Sequence, residues 1–404
     1  MNILFIHNNF PGQFLKLAPY LASQISGRTI FLTRSENSQK IRLDGVEVVH
    51  FTTHRNQSTN VHNYLKPVEQ CVLQGQAVVK ALDQLLRQGF RPNIIISHAG
   101  VGSGIYIKSF LSSVRLISYV EWFFKPETSR YIFADFQLND NLAMQTMMWP
   151  LMHEMLCADD LVCPTQWQRS QFPSPWYERI QVIFDGVDTE LFQPRHWRGV
   201  LSLTSGSSGH TVILQSSDRV LTYATRGMEP LRGFPQFMRA AAVAQQANSD
   251  VQVVIAGNDR VVYSHHSAHP SGSWKQQMLK ELSDQLDLKR LHFVGLLPYR
   301  DLAKLMQRSN LYCYFTRPYV VSWSLFEAAA CGTRLLINQF EGIDEVLALP
   351  SLLPPVNLDD QEEINQAVLR GITLERPHFV QDSLLLPEMD FHHTKHAWLK
   401  LLAC

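Results

Sequence analysis

Short apolar runs recur along this chain at intervals set by longer amphipathic stretches. The first series is "ILFI" (3–6), "TIFL" (29–32), "VEVVHF" (46–51), "NIIIS" (93–97), "RLISYV" (115–120), "DLVCP" (160–164) and "IQVIF" (180–184). Continuous runs of this length predict strands covered on both faces, as in a parallel sheet. The stretch "NYLKPVEQCVLQGQAVVKALDQLLRQG" (63–89) has helical periodicity and predicts a crossover helix. A second series follows: "VLTYA" (220–224), "VQVVIAG" (251–257), "LHFVG" (291–295), "LYCYF" (311–315) and "RLLIN" (334–338). The pattern predicts an α/β protein of two doubly wound domains.

Between the two series lies "RHWRGVLSLTSGSSGHTVILQSSD" (195–218), whose Ser/Thr/Gly cluster at 202–209 is the least core-like part of the chain. It predicts a linker over 192–218, with an N-terminal domain at 1–191, a C-terminal domain at 219–385, and a last helix within 386–404 that returns to the first domain. A chain of 404 residues suits this division, because single cores usually stop growing at about 250–300 residues.

Composition narrows the classes of function. Lys+Arg and Asp+Glu are balanced at 36 each, which removes the global field expected of a nucleic-acid binder. The six cysteines, Cys71, Cys157, Cys163, Cys313, Cys331 and Cys404, form no CxxC pair, so neither a disulfide framework nor a zinc site is expected. The apolar run at the N-terminus is too short for a signal peptide, and no stretch reaches the roughly 18–20 apolar residues that span a bilayer. The expectation is a cytoplasmic protein, with peripheral contact at the inner face of a membrane left open.

The stretch "RPYVVSWSLFEAAACGTRLL" (317–336) holds a single carboxylate, Glu327, among apolar, small and hydroxylic residues. Its spacing from Ser324 matches a capping box, which would make it a helix-end carboxylate. The same geometry also suits a ligand site, where helix amides meet an anion and the carboxylate accepts from a diol.

The segment 317–333 resembles the nucleotide-sugar signature of retaining glycosyltransferases of family four, through Glu327-Ala328-Ala329-Ala330-Cys331-Gly332. Further pieces follow in the family's order over roughly 1–360: "NILFIHNNFPGQF", "IQVIFDGVDTELFQP", "TRGMEPLRGFPQFMRA", "VQVVIAG" and "LHFVGLLP". The wording is similar to a bacterial subgroup of that family. The resemblance implies the GT-B fold, two facing Rossmann-like domains with an interdomain cleft, and transfer of a hexose from a nucleotide diphosphate sugar to a hydroxyl on a glycan, lipid-linked or small-molecule acceptor. It implies no cofactor beyond that co-substrate, no catalytic metal, and nothing about oligomeric state.

The same resemblance implies roles for particular residues. Glu327 would bind the donor ribose. Arg226 and Arg232 would meet the diphosphate, Arg232 in the place of the family's lysine, and Gly227 would let the backbone approach. Gly12, Gly257 and Leu297 fall in motifs near the donor, and the backbone of Val320, Val321, Ser322 and Ser324 would hold the sugar or diphosphate. Two positions depart from the family: Tyr319 stands where a second acidic residue is usual, and Glu121 stands where a histidine is common. Both favour the rival reading, a nucleotide-sugar-binding or partner protein that has lost turnover.

His98 and Glu121 lie just past predicted strands. His98 is either a site residue or a hydrogen-bonded structural histidine, and Glu121 either meets a sugar hydroxyl or pairs with Arg130 or Lys125. The aromatic run "EWFFKPETSRYIF" (121–133) is read as core, with stacking on an acceptor or contact with lipid as the alternative. The histidines of "SHHSAHP" (264–270) and the Asp pairs at 159–160 and 359–360 lack metal-ligand spacing.

Overall fold

The computed structural model describes residues 1–34, 41–133, 135–195, 199–205, 209–263, 273–342, 353–374 and 383–403. The "SHHSAHP" segment lies outside the described residues. The chain divides into two units. The first comprises Met1–Ser129, Phe136–Gly186 and Phe391–Cys404, and the second Arg130–Asp135 and Val187–Asp390.

In the first unit, β1 (Ile3–Ile6), β2 (Thr29–Thr33), β3 (Val46–His50), β4 (Ile94–His98), β5 (Arg115–Tyr119), β6 (Asp160–Cys163) and β7 (Ile180–Val182) form one sheet. Its order is β3-β2-β1-β4-β5-β6-β7, and every pairing is parallel. Neighbouring residues of a strand point to opposite faces, and both faces are covered. Leu4, Ile95 and Leu116 pack with Val78 and Leu82 of the helix Leu65–Arg87. Phe5, Ile96 and Ile117 share the opposite core with Trp398 and Leu401 of the helix Phe391–Ala403. Burial on both faces explains why these strands read as unbroken apolar runs.

The second unit holds a five-stranded parallel sheet of β10 (Arg219–Gly227), β11 (Val251–Asn258), β12 (Leu291–Gly295), β13 (Leu311–Tyr314) and β14 (Leu335–Ile337) in the order β12-β11-β10-β13-β14. Residues 192–218, expected as a linker, instead contain an antiparallel hairpin of β8 (Leu201–Thr204) and β9 (Thr211–Leu214). The reason is visible in the alternation: Leu201, Leu203, Val212 and Leu214 are buried against Val254, Val294 and Leu305, while Ser202, Thr204, Thr211 and Ile213 are exposed.

Each sheet reverses its strand order once, between β1 and β4 and between β10 and β13. Crossovers leave such a point in opposite directions, so the carboxyl ends of those strands flank a crevice where ligands of these sheets bind. Gly257, near the end of β11, has φ of 130°, and a Cβ there would stand 1.9 Å from the Thr225 carbonyl oxygen. Its glycine is required by the backbone. Gly257→Ala is expected to cost roughly 2–3 kcal/mol, read as a lower urea midpoint with an unchanged slope.

Candidate functional site

The first unit's polar residues gather at the β1/β4 switch point. His7 follows β1 and is 4% exposed. Its Nδ1 accepts the Asn9 amide N–H at 2.8 Å, so the ring proton sits on Nε2, which lies 2.7 Å from Gln13 Oε1. Gln13 Nε2 in turn donates to Glu121 Oε1 at 2.8 Å. The His7 and His98 rings are 4.2 Å apart, and His98 Nε2 lies 3.6 Å from Glu121 Oε2. Two residues expected on separate strand ends, His98 and Glu121, are thus neighbours. Lys125 donates to the Ser170 carbonyl and Arg130 to the Tyr131 hydroxyl. Trp122 and Phe123 from the same aromatic run are buried.

Gly12 lies in this loop with φ of 52°, and a Cβ would meet the His7 ring at 2.5 Å. The loop is built around the imidazole. Behind the site, Tyr119 donates to Asp185 at 2.7 Å. Glu154, on the helix Trp149–Cys157, is fully buried and accepts from Ser97 at 3.0 Å and Ser118 at 3.4 Å. Burial pushes its carboxyl up to about 7, against the opposing pull of Ser97, the Gly104 and Gly100 amides and nearby His98. Cys71 is pushed up to about 12 by burial and by Glu154. The sequence reading missed His7 and Glu154. Their signals were a histidine directly after a buried strand, and a lone carboxylate at helical spacing from Leu151 and Ala158.

In the second unit the β10/β13 switch point is organised by Arg232, which is 5% exposed. Its Nη1 donates to Thr316 Oγ1 at 2.9 Å and to the Val320 carbonyl at 2.8 Å, while its guanidinium lies 5.0 Å from the Tyr263 ring centre and 5.6 Å from that of Tyr319. Tyr319, the departure from the acidic pattern, thus stacks on the arginine. The buried Glu229 accepts from the Val262 and Tyr263 amides and so holds Tyr263 in place. Arg226, near the end of β10, is exposed. A Cβ on Gly227 would meet the Arg260 carbonyl at 2.6 Å, and Leu297 is half-buried against the hairpin core.

The helix Trp323–Ala330 begins beside this arginine. Its N-cap is Ser322, with no side-chain capping bond, which overturns the capping-box reading: Ser324 is the second helical residue and Glu327 lies more than a turn inside. The Ser322 amide, expected to be open to a ligand, donates to the Tyr314 hydroxyl at 2.9 Å. Ser324 Oγ donates to the Ala224 carbonyl at 3.3 Å, which ties the helix start to the end of β10. Val321 and Glu327 are buried, and the Tyr299 phenol is pushed up by burial and by Glu327. The Asp pairs have structural uses: Asp159 pairs with Lys108, Asp160 with Arg115 and Asp359 with Arg317, while Asp360 caps the helix Gln361–Thr373. No described helix is long and apolar enough to cross a membrane.

Comparison with known proteins bears on both units. Residues 26–192 match the family described as "Glycosyl transferase family 4 group", and residues 214–373 match "Glycosyl transferases group 1". The phosphatidylinositol N-acetylglucosaminyltransferase GPI3 subunit of Saccharomyces cerevisiae is 25% identical over 168 residues, 42% of this chain and 32% of that protein. The matched region therefore spans about a third of that relative. Among solved structures, sucrose-phosphate synthase from Thermosynechococcus elongatus superposes with a TM-score of 0.63 at 12% identity, covering 100% of this chain and 98% of that one. The Anabaena protein HepE, solved with UDP and glucose, gives 0.60 at 16% identity, covering 100% and 99%. The UDP-GlcNAc 2-epimerase from Methanocaldococcus jannaschii gives 0.53 at 12%, covering 100% and 99%.

The raised Glu154 carboxyl has a consequence for stability. A group whose carboxyl rises from 4.5 unfolded to about 7 folded contributes stability in its protonated form, present in full below pH 4.5 and lost as pH climbs to about 7. The expected loss is roughly 3 kcal/mol. Denaturant titrations from pH 4.5 to 8 should show wild type losing this increment relative to Glu154→Gln, which cannot ionise. Parallel curves for the two proteins would place the carboxyl at its ordinary value.

Proposed function

We propose that this chain, a glycosyltransferase of the GT-B fold, moves a hexose from a nucleotide diphosphate sugar to a hydroxyl acceptor with retention at the sugar carbon. The observation that carries the reading is the cluster at the β10/β13 switch point: a buried arginine, a helix N-terminus and, one turn on, a buried glutamate. In this reading Arg232 and the helix amides stabilise charge growing on the departing diphosphate, and preorganised donors of this kind are the main source of rate gain in such sites. Arg232 Nη1 is engaged by Thr316 and Val320, so the diphosphate is met by the Nε and Nη2 side of the guanidinium. Arg226, exposed at the end of β10, supplies a second and more mobile cation. Glu327 accepts from the ribose hydroxyls.

Glu121 and His98 handle sugar hydroxyls at the first unit's switch point. The acceptor attacks on the face the diphosphate leaves, without a protein nucleophile or a metal. The acceptor is a sugar, a lipid-linked sugar or a small molecule; the yeast relative, by its name, acts on phosphatidylinositol. The solved 2-epimerase shares the fold, so product analysis is part of the test.

Incubating the protein with UDP-, GDP- and ADP-hexoses and a panel of hydroxyl acceptors should release the nucleotide and yield a glycoside with the donor's anomeric configuration. Free epimerised sugar, or no consumption of any donor, would overturn the reading. Two substitutions bear on the named residues. Glu327→Gln should weaken donor binding about tenfold, close to 1.4 kcal/mol, with the melting temperature nearly unchanged. Arg232→Lys keeps a cation for Thr316 and Val320 but removes the planar fork, and should cost at least tenfold in donor affinity by calorimetry. Arg232→Ala is less informative, because it also strips buried hydrogen bonds and unfolding would mask the effect.

A further inference from the structure

We infer that His7 is a positioning residue: acting through Gln13, it fixes the Glu121 carboxylate as a hydrogen-bond acceptor for a sugar hydroxyl at the β1/β4 switch point. The inference rests on the transferase reading for the identity of the ligand and on geometry for everything else.

The chain of bonds runs in one direction. A backbone N–H can only donate, so the Asn9 amide requires a bare lone pair on His7 Nδ1. The ring proton is thereby placed on Nε2, and the 2.7 Å contact to Gln13 Oε1 is a donation from the histidine. A side-chain amide can turn over by half a rotation at little cost. With its oxygen held by His7, Gln13 must present its NH2 group to Glu121, as the 2.8 Å bond shows. Each donor in the series polarises the next, and the series ends on a carboxylate. The glycine at position 12 exists to admit the imidazole, since a Cβ there would collide with the ring at 2.5 Å.

The ligand's chemistry follows from the end of the chain. An ionised carboxylate only accepts, so the group it recognises is a donor. Glu121 is about a third exposed, with Oε2 on the His98 side. An anion near this carboxylate is repelled, so the Glu121 end of the chain suits a hydroxyl rather than a phosphate. A polyol face, the surface of a hexose, fits that requirement.

A double-mutant cycle tests the inference, using whichever of UDP-, GDP- or ADP-glucose the wild type consumes fastest. Gln13→Met keeps the side chain's length and removes both bonds. It is expected to lower kcat at least tenfold with the donor KM within about twofold, and to change kcat less than twofold when Glu121→Gln is already present. Equal losses in both backgrounds would show that Gln13 acts on the fold alone and would overturn the role. Nitrogen NMR of the wild-type His7 ring, which needs no turnover, should report the proton on Nε2; a proton on Nδ1 overturns the chain. His7→Phe should reproduce the Gln13→Met loss, and the NMR result stands even if that variant does not fold. Absence of donor consumption by wild type would count against the transferase reading, and the ring tautomer would still decide the chain.

Discussion

The reversal of strand order in each parallel sheet is the constraint on which the rest of this molecule depends. A parallel strand must be followed by a crossover, and crossovers on the two sides of the reversal run over opposite faces of the sheet. The strand ends between them are left without a covering helix. β1 and β4 supply this point in one unit and β10 and β13 in the other, and His7, His98, Arg232 and Thr316 all stand just beyond it. Their placement follows from topology before any consideration of chemistry.

The same topology carries opposite charge in the two units. At the β1/β4 point a carboxylate, Glu121, is the end of a hydrogen-bond chain. At the β10/β13 point a guanidinium lies against two tyrosine rings that also touch each other. A carboxylate suits hydroxyl donors and a guanidinium suits phosphate oxygens.

Both clusters bury charged or titratable groups, and the surroundings replace part of the hydration that these lose. Arg232 keeps its charge away from water because Thr316, the Val320 carbonyl and the faces of Tyr263 and Tyr319 replace the lost hydration. Tyr319 thereby has a structural use unrelated to the acidic residue expected at its position. Glu154 meets its desolvation differently, by holding its proton up to about pH 7 while Ser97 and Ser118 donate to Oε1.

The sequence by itself determined the strands of the two parallel sheets and the two-unit α/β class. These depend on local periodicity and on short motifs, which a chain retains wherever it folds. It misjudged the strands Leu201–Thr204 and Thr211–Leu214, where a Ser/Thr/Gly-rich composition hid an alternating pattern. It left open a capping box between Ser324 and Glu327, which the helix start at Trp323 excludes, because a shift in where a helix begins leaves their spacing unchanged. Only the tertiary structure decided that Gln13 meets Glu121 across 108 positions, and that Arg232 meets Val320 across 88. The physical reason is that hydrogen-bond partners are selected by strand register and crossover geometry. A histidine's tautomer, an amide's orientation and a guanidinium's stacking face have no counterpart in residue order until the sheets bring the ends of distant strands together.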